Sequence, residues 1–118
     1  MIIGTALGGA AIQGLNAQAK PKAYSISETE TVDAATITTY TTLVRAAQNA
    51  AGGRSLRTAG GKVVSLEGAA APQRVAITEW DSLEKAEAFY KSKIWTDLAP
   101  QRNKVVKTIR RYMVEAMN

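Results

Sequence analysis

One stretch of this chain decides its fold: Arg74-Val75-Ala76-Ile77-Thr78-Glu79-Trp80-Asp81-Ser82-Leu83-Glu84-Lys85-Ala86-Glu87-Ala88-Phe89-Tyr90. The first half alternates and is rich in β-branched residues, which predicts a strand. The second half predicts an amphipathic helix that follows the strand without a loop. We expect Asp81 to accept a backbone N–H in the first turn of this helix while Glu84 reaches back, which would form a reciprocal cap.

The composition excludes several familiar kinds of site. A chain of 118 residues is long enough for one domain with one hydrophobic core. It contains no cysteine and no histidine, so disulfides, thiolate nucleophiles, Cys-ligated metals and histidine bases are all excluded. A metal site would need carboxylate ligands, and no Asp/Glu cluster has suitable spacing. We therefore expect no metal and no cofactor.

The net charge of +5 favours either an anionic partner or a solubilising surface. Basic residues are scattered, apart from a denser region that contains Arg102, Lys104, Lys107, Arg110 and Arg111. Aromatic residues do not interleave with this region as a base-stacking platform would require. The pattern argues against nucleic-acid binding.

The first residues differ in composition from the rest of the chain. Residues 1–19 carry no charge, and Ala17-Gln18-Ala19 has the small-x-small pattern of a signal-peptidase site. The run is too short and too Gly-rich for a membrane span. We interpret residues 1–21 as an export signal of a periplasmic protein, and residues 22–118 as a single domain. No basic residue precedes the apolar run, so a disordered tail on a cytoplasmic protein is the alternative.

Strands and helices alternate along the rest of the chain. The predicted elements are, in order, a strand at 23–29, a helix capped by Asp33 and ended by Gly52-Gly53, a hairpin of 54–57 and 62–67, the strand and helix quoted above, a helix at about 97–107 and a strand at 108–116. This order predicts an α+β fold of the ferredoxin-like split βαβ type, with helices on one face of an antiparallel sheet. The uncovered face predicts a homodimer.

Several short motifs together resemble a known family. They are Ala50-Ala51-Gly52-Gly53-Arg54, Gly60-Gly61-Lys62, Leu66-Glu67-Gly68, Pro72-Gln73-Arg74-Val75, the run from Trp80 to Ala86, Tyr90-x-Ser92, Leu98-Ala99-Pro100-x-Arg102 and Val114-Glu115. This combination resembles the domain of unknown function 1330 (DUF1330) family, whose members are small dimeric ferredoxin-like α/β barrels, some with export signals. The family often carries Arg-Gly-Gly directly, whereas here Thr58 and Ala59 separate Arg57 from the glycines. The resemblance implies no agreed activity.

The candidate site is a cleft between the sheet and the helices. Tyr40 and Tyr90 could supply its aromatic walls and hydroxyls, with Arg57 or Glu79 orienting a polar ligand. The alternative is that both tyrosines are core side chains. Burial would raise the pKa of Glu79 and suit it to proton transfer, which makes it the candidate catalytic residue. The alternative for Glu79 is a salt bridge to a neighbouring strand, for example to Arg111.

Three functions remain open at this stage. The first is binding of a small molecule in the cleft. The second is a non-catalytic dimeric module of the cell envelope, with a basic face that contacts an anionic partner. The third is an enzyme that resembles the cofactor-independent oxygenases or isomerases among the structural relatives of the family, although a shared fold does not transfer function. The sequence does not establish whether the protein is an enzyme.

Overall fold

A computed structural model describes residues 20–117 of the chain. Residues 1–19, the greater part of the segment interpreted as an export signal, lie outside the described residues. The elements are, in order, β1 (Ala23–Thr31), α1 (Ile37–Ala50), β2 (Arg54–Ser55), β3 (Arg74–Trp80), α2 (Leu83–Tyr90), α3 (Lys93–Asp97), α4 (Ala99–Val105) and β4 (Val106–Glu115). No helix between residues 20 and 117 has the length and apolar character that crossing a membrane requires.

The four strands form one antiparallel sheet in the order β2-β3-β1-β4. In its centre Ser27 of β1 lies opposite Ala76 of β3 on one side and Arg111 of β4 on the other. A register shift after Glu28 interrupts the pairing of β1 with β4. This topology is that of the ferredoxin-like split βαβ fold, and the predicted fold class is confirmed.

Side chains alternate between the two faces of the sheet. Trp80 and its neighbour Ser25 lie on the face that the helices cover, where Trp80 packs against Phe89 of α2. Glu79 and its partner across the strands, Tyr24, lie on the opposite face. We call this second face the open face, because none of the helices of the described chain packs on it.

The core consists of two clusters. One is aromatic and contains Trp80, Phe89 and Trp95. The ring centroids of Trp80 and Phe89 are 5.2 Å apart, and those of Phe89 and Trp95 are 5.7 Å apart. The other cluster is formed by Ile37, Tyr40, Val105 and Val106. Val44 of α1 packs against both clusters and joins them into one core.

The caps of the two long helices differ from the prediction. Ser82, not Asp81, is the N-cap of α2, and its hydroxyl accepts a hydrogen bond from the Lys85 N–H at 3.2 Å. Asp81 instead pairs with the Arg54 guanidinium at 2.9 Å. Asp33 accepts from the Ala35 N–H at 3.0 Å, but α1 begins only at Ile37. Sequence motifs for capping are therefore accurate here to within a few residues.

The predicted hairpin of residues 54–57 and 62–67 is wrong. β2 has only two residues and pairs with β3, and no strand forms at 62–67. β2 lies at the edge of the sheet, and residues 56–73 continue from it as turns and irregular structure. The predicted helix at 97–107 is shorter than expected: α4 ends at Val105, and β4 takes over the rest.

We predict that Gly53→Ala destabilises the protein, because a Cβ there would lie 2.9 Å from Cη2 of Trp80 and 3.0 Å from Cγ2 of Thr78. Overpacking of this kind costs about 1–3 kcal/mol of unfolding free energy, which chemical denaturation measures. The cost should be smaller in a Trp80→Phe background, since the shorter ring lacks the atoms that clash. An equal cost in both backgrounds would contradict the role of Gly53 as space for the indole.

Candidate functional site

A cavity of about 80 Å³ lies between α1 and the covered face of the sheet. The sheet contributes the small side chains of Ser27 and Ala76, which face each other across β1 and β3. α1 contributes Tyr40, Val44 and Gln48, which recur every four residues and therefore share one side of the helix. The side chains in the middle of the sheet are small, and a space remains between them and α1.

A chain of hydrogen bonds fixes one wall of the cavity. The Tyr90 hydroxyl donates to Oγ of Ser25 at 2.8 Å and accepts from Nε2 of Gln48 at 3.4 Å. Oγ of Ser25 also accepts from Nε1 of Trp80 at 3.0 Å. Burial raises the pKa of Tyr90, so its hydroxyl stays protonated as a donor. The wall therefore links both long helices to the two central strands.

The other aromatic wall is Tyr40, which is buried and packs beside an unusual arginine. Arg102 is only 7% exposed, and its guanidinium lies 3.7 Å above the Trp95 ring. Nη1 of Arg102 donates to the Tyr40 hydroxyl and to the Trp95 carbonyl, each at 3.4 Å. Burial raises the pKa of Tyr40 as well. The tyrosine hydroxyls are thus weak acids here and do not supply a base.

Three arginines line the cavity: Arg45 from α1, Arg74 from β3 and Arg111 from β4. Nε of Arg111 donates to Oγ of Ser27 at 2.8 Å. The Nε atoms of Arg45 and Arg74 are buried and have no hydrogen-bond partner among the described residues. Burial lowers the pKa of both Arg74 and Arg111. No acidic side chain lines the cavity.

Two of the four residues predicted to bind a ligand come together in this cavity. Tyr40 and Tyr90 both line the cavity, and both are also packed in the core. The two alternatives for these tyrosines, walls of a site and core side chains, are therefore both met. Arg57 and Glu79 are not among the lining residues. Arg57 is exposed, and its backbone has a φ of 62°, with its N–H donating to Oγ of Ser55 at 3.1 Å.

Glu79 differs most from its expected environment. It lies on the open face, where Oε1 accepts from Nε of Arg54 at 2.8 Å and Oε2 accepts from the Tyr24 hydroxyl at 2.9 Å. The hydrogen bond from Arg54 is the main cause that lowers the pKa of Glu79, so the expectation of a raised pKa is wrong. The alternative expectation, a salt bridge to an arginine of a neighbouring strand, is confirmed, but the partner is Arg54 of β2 and not Arg111, which lies on the covered face.

The basic region from Arg102 to Arg111 does not form a single displayed surface. Lys104, Lys107 and Arg110 are exposed, but Arg102 is buried and Arg111 turns inward towards Trp95, with its guanidinium 4.8 Å from the ring. Among residues 20–117, no three acidic side chains lie close enough together to hold a metal ion.

Comparison with known proteins places the chain in a family. The sequence profile named Domain of unknown function (DUF1330) matches residues 22–117. The chain is a member of the DUF1330 family. The resemblance inferred from the motifs is therefore confirmed. No curated protein shows significant sequence similarity to this DUF1330 member.

Solved structures share its fold. A protein of unknown function from Rhodopseudomonas palustris, RPA0582, superposes with a TM-score of 0.65 at 12% identity, over 93% of this chain and 94% of that chain. The methylated RPA0582 protein gives 0.64 at 12% identity, over 93% and 92%. A Chloroflexus aurantiacus structure described provisionally as an antibiotic biosynthesis monooxygenase gives 0.45 at 14%, over 81% and 94%. The two RPA0582 structures show that the fold is shared, and at this identity they show nothing about function. The Chloroflexus structure is too dissimilar to support a conclusion about this chain.

Sequence reasoning missed the arginines of this DUF1330 domain as site residues. Arg74 could have been found from parity, because it lies an even number of positions before Trp80 and must share its face. Arg45 lies four positions after Thr41 and three before Gln48, which also line the cavity, and this spacing puts it on the same side of α1. Arg111 has no such signal, because the register of β4 depends on the shift after Glu28.

We predict that Glu79→Gln lowers the unfolding free energy at neutral pH and that the difference disappears in acid. The folded-state pKa of Glu79 is lowered, so its stabilising contribution is complete above the ordinary value of 4.5 and is lost as pH falls through the lower folded value. Urea denaturation between about pH 3 and 7 measures this. Glu67→Gln is the control, since Glu67 is exposed and has no salt bridge within residues 20–117. A difference that does not vary with pH would contradict the prediction.

Proposed function

We propose that this DUF1330 member binds a small molecule in the cavity between α1 and the sheet. The observation that supports this most strongly is the cavity itself, because hydroxyl, amide and guanidinium groups converge on it from six elements. Pockets for drug-sized ligands usually measure about 300–1,000 Å³, so a space of about 80 Å³ suits a ligand of few atoms.

The chemistry of the lining favours binding over acid–base catalysis. A general base must hold a free electron pair at working pH, and the lining has no carboxylate and no histidine. Its tyrosines have raised pKa values and its arginines are permanent cations. The inward direction of Arg102 and Arg111 also weakens the case for an envelope module that presents one basic face.

The first test is native mass spectrometry of the full chain isolated from its own cells. We predict a retained small molecule on the wild-type protein and its loss in Ala76→Leu, because the larger side chain fills the cavity from its floor. Ala46→Leu adds the same atoms at an exposed position of α1 and should leave the ligand in place. Ligand retained equally by both variants would place the binding site elsewhere, and a ligand-free wild type would oppose the proposal.

We further propose that two copies of the chain associate through the open face. This face carries Tyr112 and Val114, which are 42% and 49% exposed. Ile26 of β1 is paired with Tyr112 on one side and with Ile77 of β3 on the other, so these side chains share the face. Apolar side chains of this size, displayed together, usually mark an interface.

The charges of the open face support a second copy as the occupant. The chain as a whole carries +5, so two copies repel each other in most orientations. On the open face, however, Glu28 pairs with Arg110 at 2.9 Å and Glu79 pairs with Arg54 at 2.8 Å. A charge-balanced surface can meet its own copy about a two-fold axis without net repulsion.

We predict that Val114→Asp converts a dimer into a monomer, because it would bury unpaired carboxylates in the interface of both copies. Sedimentation velocity gives the mass directly. Ile94→Asp is the matched control: Ile94 is 58% exposed but lies on α3, on the helix side of the sheet. A wild-type protein that sediments as a monomer, or a control that dissociates to the same degree, would reject the open face as the interface.

A further inference from the structure

All the charged side chains that line the cavity are positive. Its three cationic side chains, Arg45, Arg74 and Arg111, come from α1, β3 and β4, and so are held by separate elements around one space. Within residues 20–117 none of the three forms a salt bridge, although seven salt bridges form elsewhere. Partly buried cations are normally paired, since an unpaired charge away from water is costly.

The unpaired atoms identify the kind of partner that is missing. The Nε atoms of Arg45 and Arg74 are buried without a hydrogen-bond acceptor. In an arginine, Nε–H and one terminal N–H form the edge that matches the two oxygens of a carboxylate. Arg111 has its Nε occupied by Ser27, so only its terminal nitrogens can take part. An anion in the cavity would accept hydrogen bonds from guanidinium N–H groups and offset part of their positive charge.

We infer that the occupant of the cavity is a small organic carboxylate held by Arg45, Arg74 and Arg111. This inference rests on the proposed function and names the ligand class of the same site. The guanidinium groups take the carboxylate end of the ligand. Val44, Ala76 and Val106 line the same space and provide apolar contact for a short hydrocarbon body. The space of about 80 Å³ fits a ligand whose hydrocarbon body is short.

A charge-matched pair of probes tests the inference on the full chain. Propionate and propionamide have nearly the same shape, and only propionate carries a charge. At constant ionic strength set with sodium chloride, propionate should raise the melting temperature and propionamide should not. In the same titration, ¹H–¹⁵N spectra should show the Nε–H signals of Arg45 and Arg74 moving with propionate. The Nε–H signals are measured on the wild-type protein, and variants are needed only to assign each signal to its arginine.

The contribution of the arginines is tested by Arg74→Gln. Losing charge-assisted hydrogen bonds to a carboxylate should weaken propionate binding by at least about tenfold. Lys104→Gln removes one positive charge from an exposed position of α4 and controls for net charge. Its affinity for propionate should stay within about twofold of the wild type, as expected for a screened surface charge. If Arg74→Gln does not fold, the Nε–H signals of the wild-type protein decide the question.

The outcomes separate this inference from the proposal beneath it. Equal binding of propionate and propionamide, equal affinities of Arg74→Gln and Lys104→Gln, or unmoved Nε–H signals would overturn the carboxylate assignment. Tighter binding of inorganic phosphate than of propionate would overturn it in favour of a phosphate site. A neutral ligand that Ala76→Leu expels would leave the proposed function standing and refute the inference alone. A ligand-free wild type that also ignores propionate would refute both.

Discussion

The structure depends on the complete burial of one indole. Trp80 is 0% exposed, and a buried indole N–H needs an acceptor. Ser25 supplies it, and because the same hydroxyl accepts from Tyr90, the bond ties β3, β1 and the end of α2 together. The ring also requires space where the chain passes from α1 to β2, and Gly53 provides it by having no Cβ. Three elements and one connection are therefore positioned around a single side chain.

The position of this indole explains why a cavity exists. The large rings collect at one end of the sheet, and the second apolar cluster collects around Ile37 and Val105 at the other. The two clusters hold α1 above the sheet at both ends, while the paired positions Ser27 and Ala76 between them are small. α1 is a rigid rod over this span, so it bridges the gap instead of filling it. The space therefore results from the positions of the large side chains. Its polar lining results from the alternation of side chains along each strand, which turns every second residue towards α1.

Much of this fold could be predicted from local sequence, because period-two and period-three-to-four patterns are properties of single elements. The order of strands and helices, the strand from Arg74 to Trp80 and the inward direction of Tyr40 and Tyr90 all follow from such patterns. The failures involve partners distant in sequence. Glu79 is paired by Arg54, which enters its neighbourhood only because β2 joins the edge of the sheet. The site arginines likewise come from three different elements, and no local sequence pattern shows that these elements meet.

The cavity also illustrates how a site can be recognised from energetics instead of motif. A core built for stability alone would place apolar groups where Arg45, Arg74 and Arg111 converge, since replacing buried charge by packed hydrocarbon is often neutral or stabilising. Like charges that converge on one cavity without acids raise the free energy of the empty protein. An anion that enters the cavity recovers this cost as binding energy, because the donors are already oriented and lose little freedom on binding. Strain of this kind, confined to one cavity in an otherwise well-paired domain, is a physical signature of a binding site.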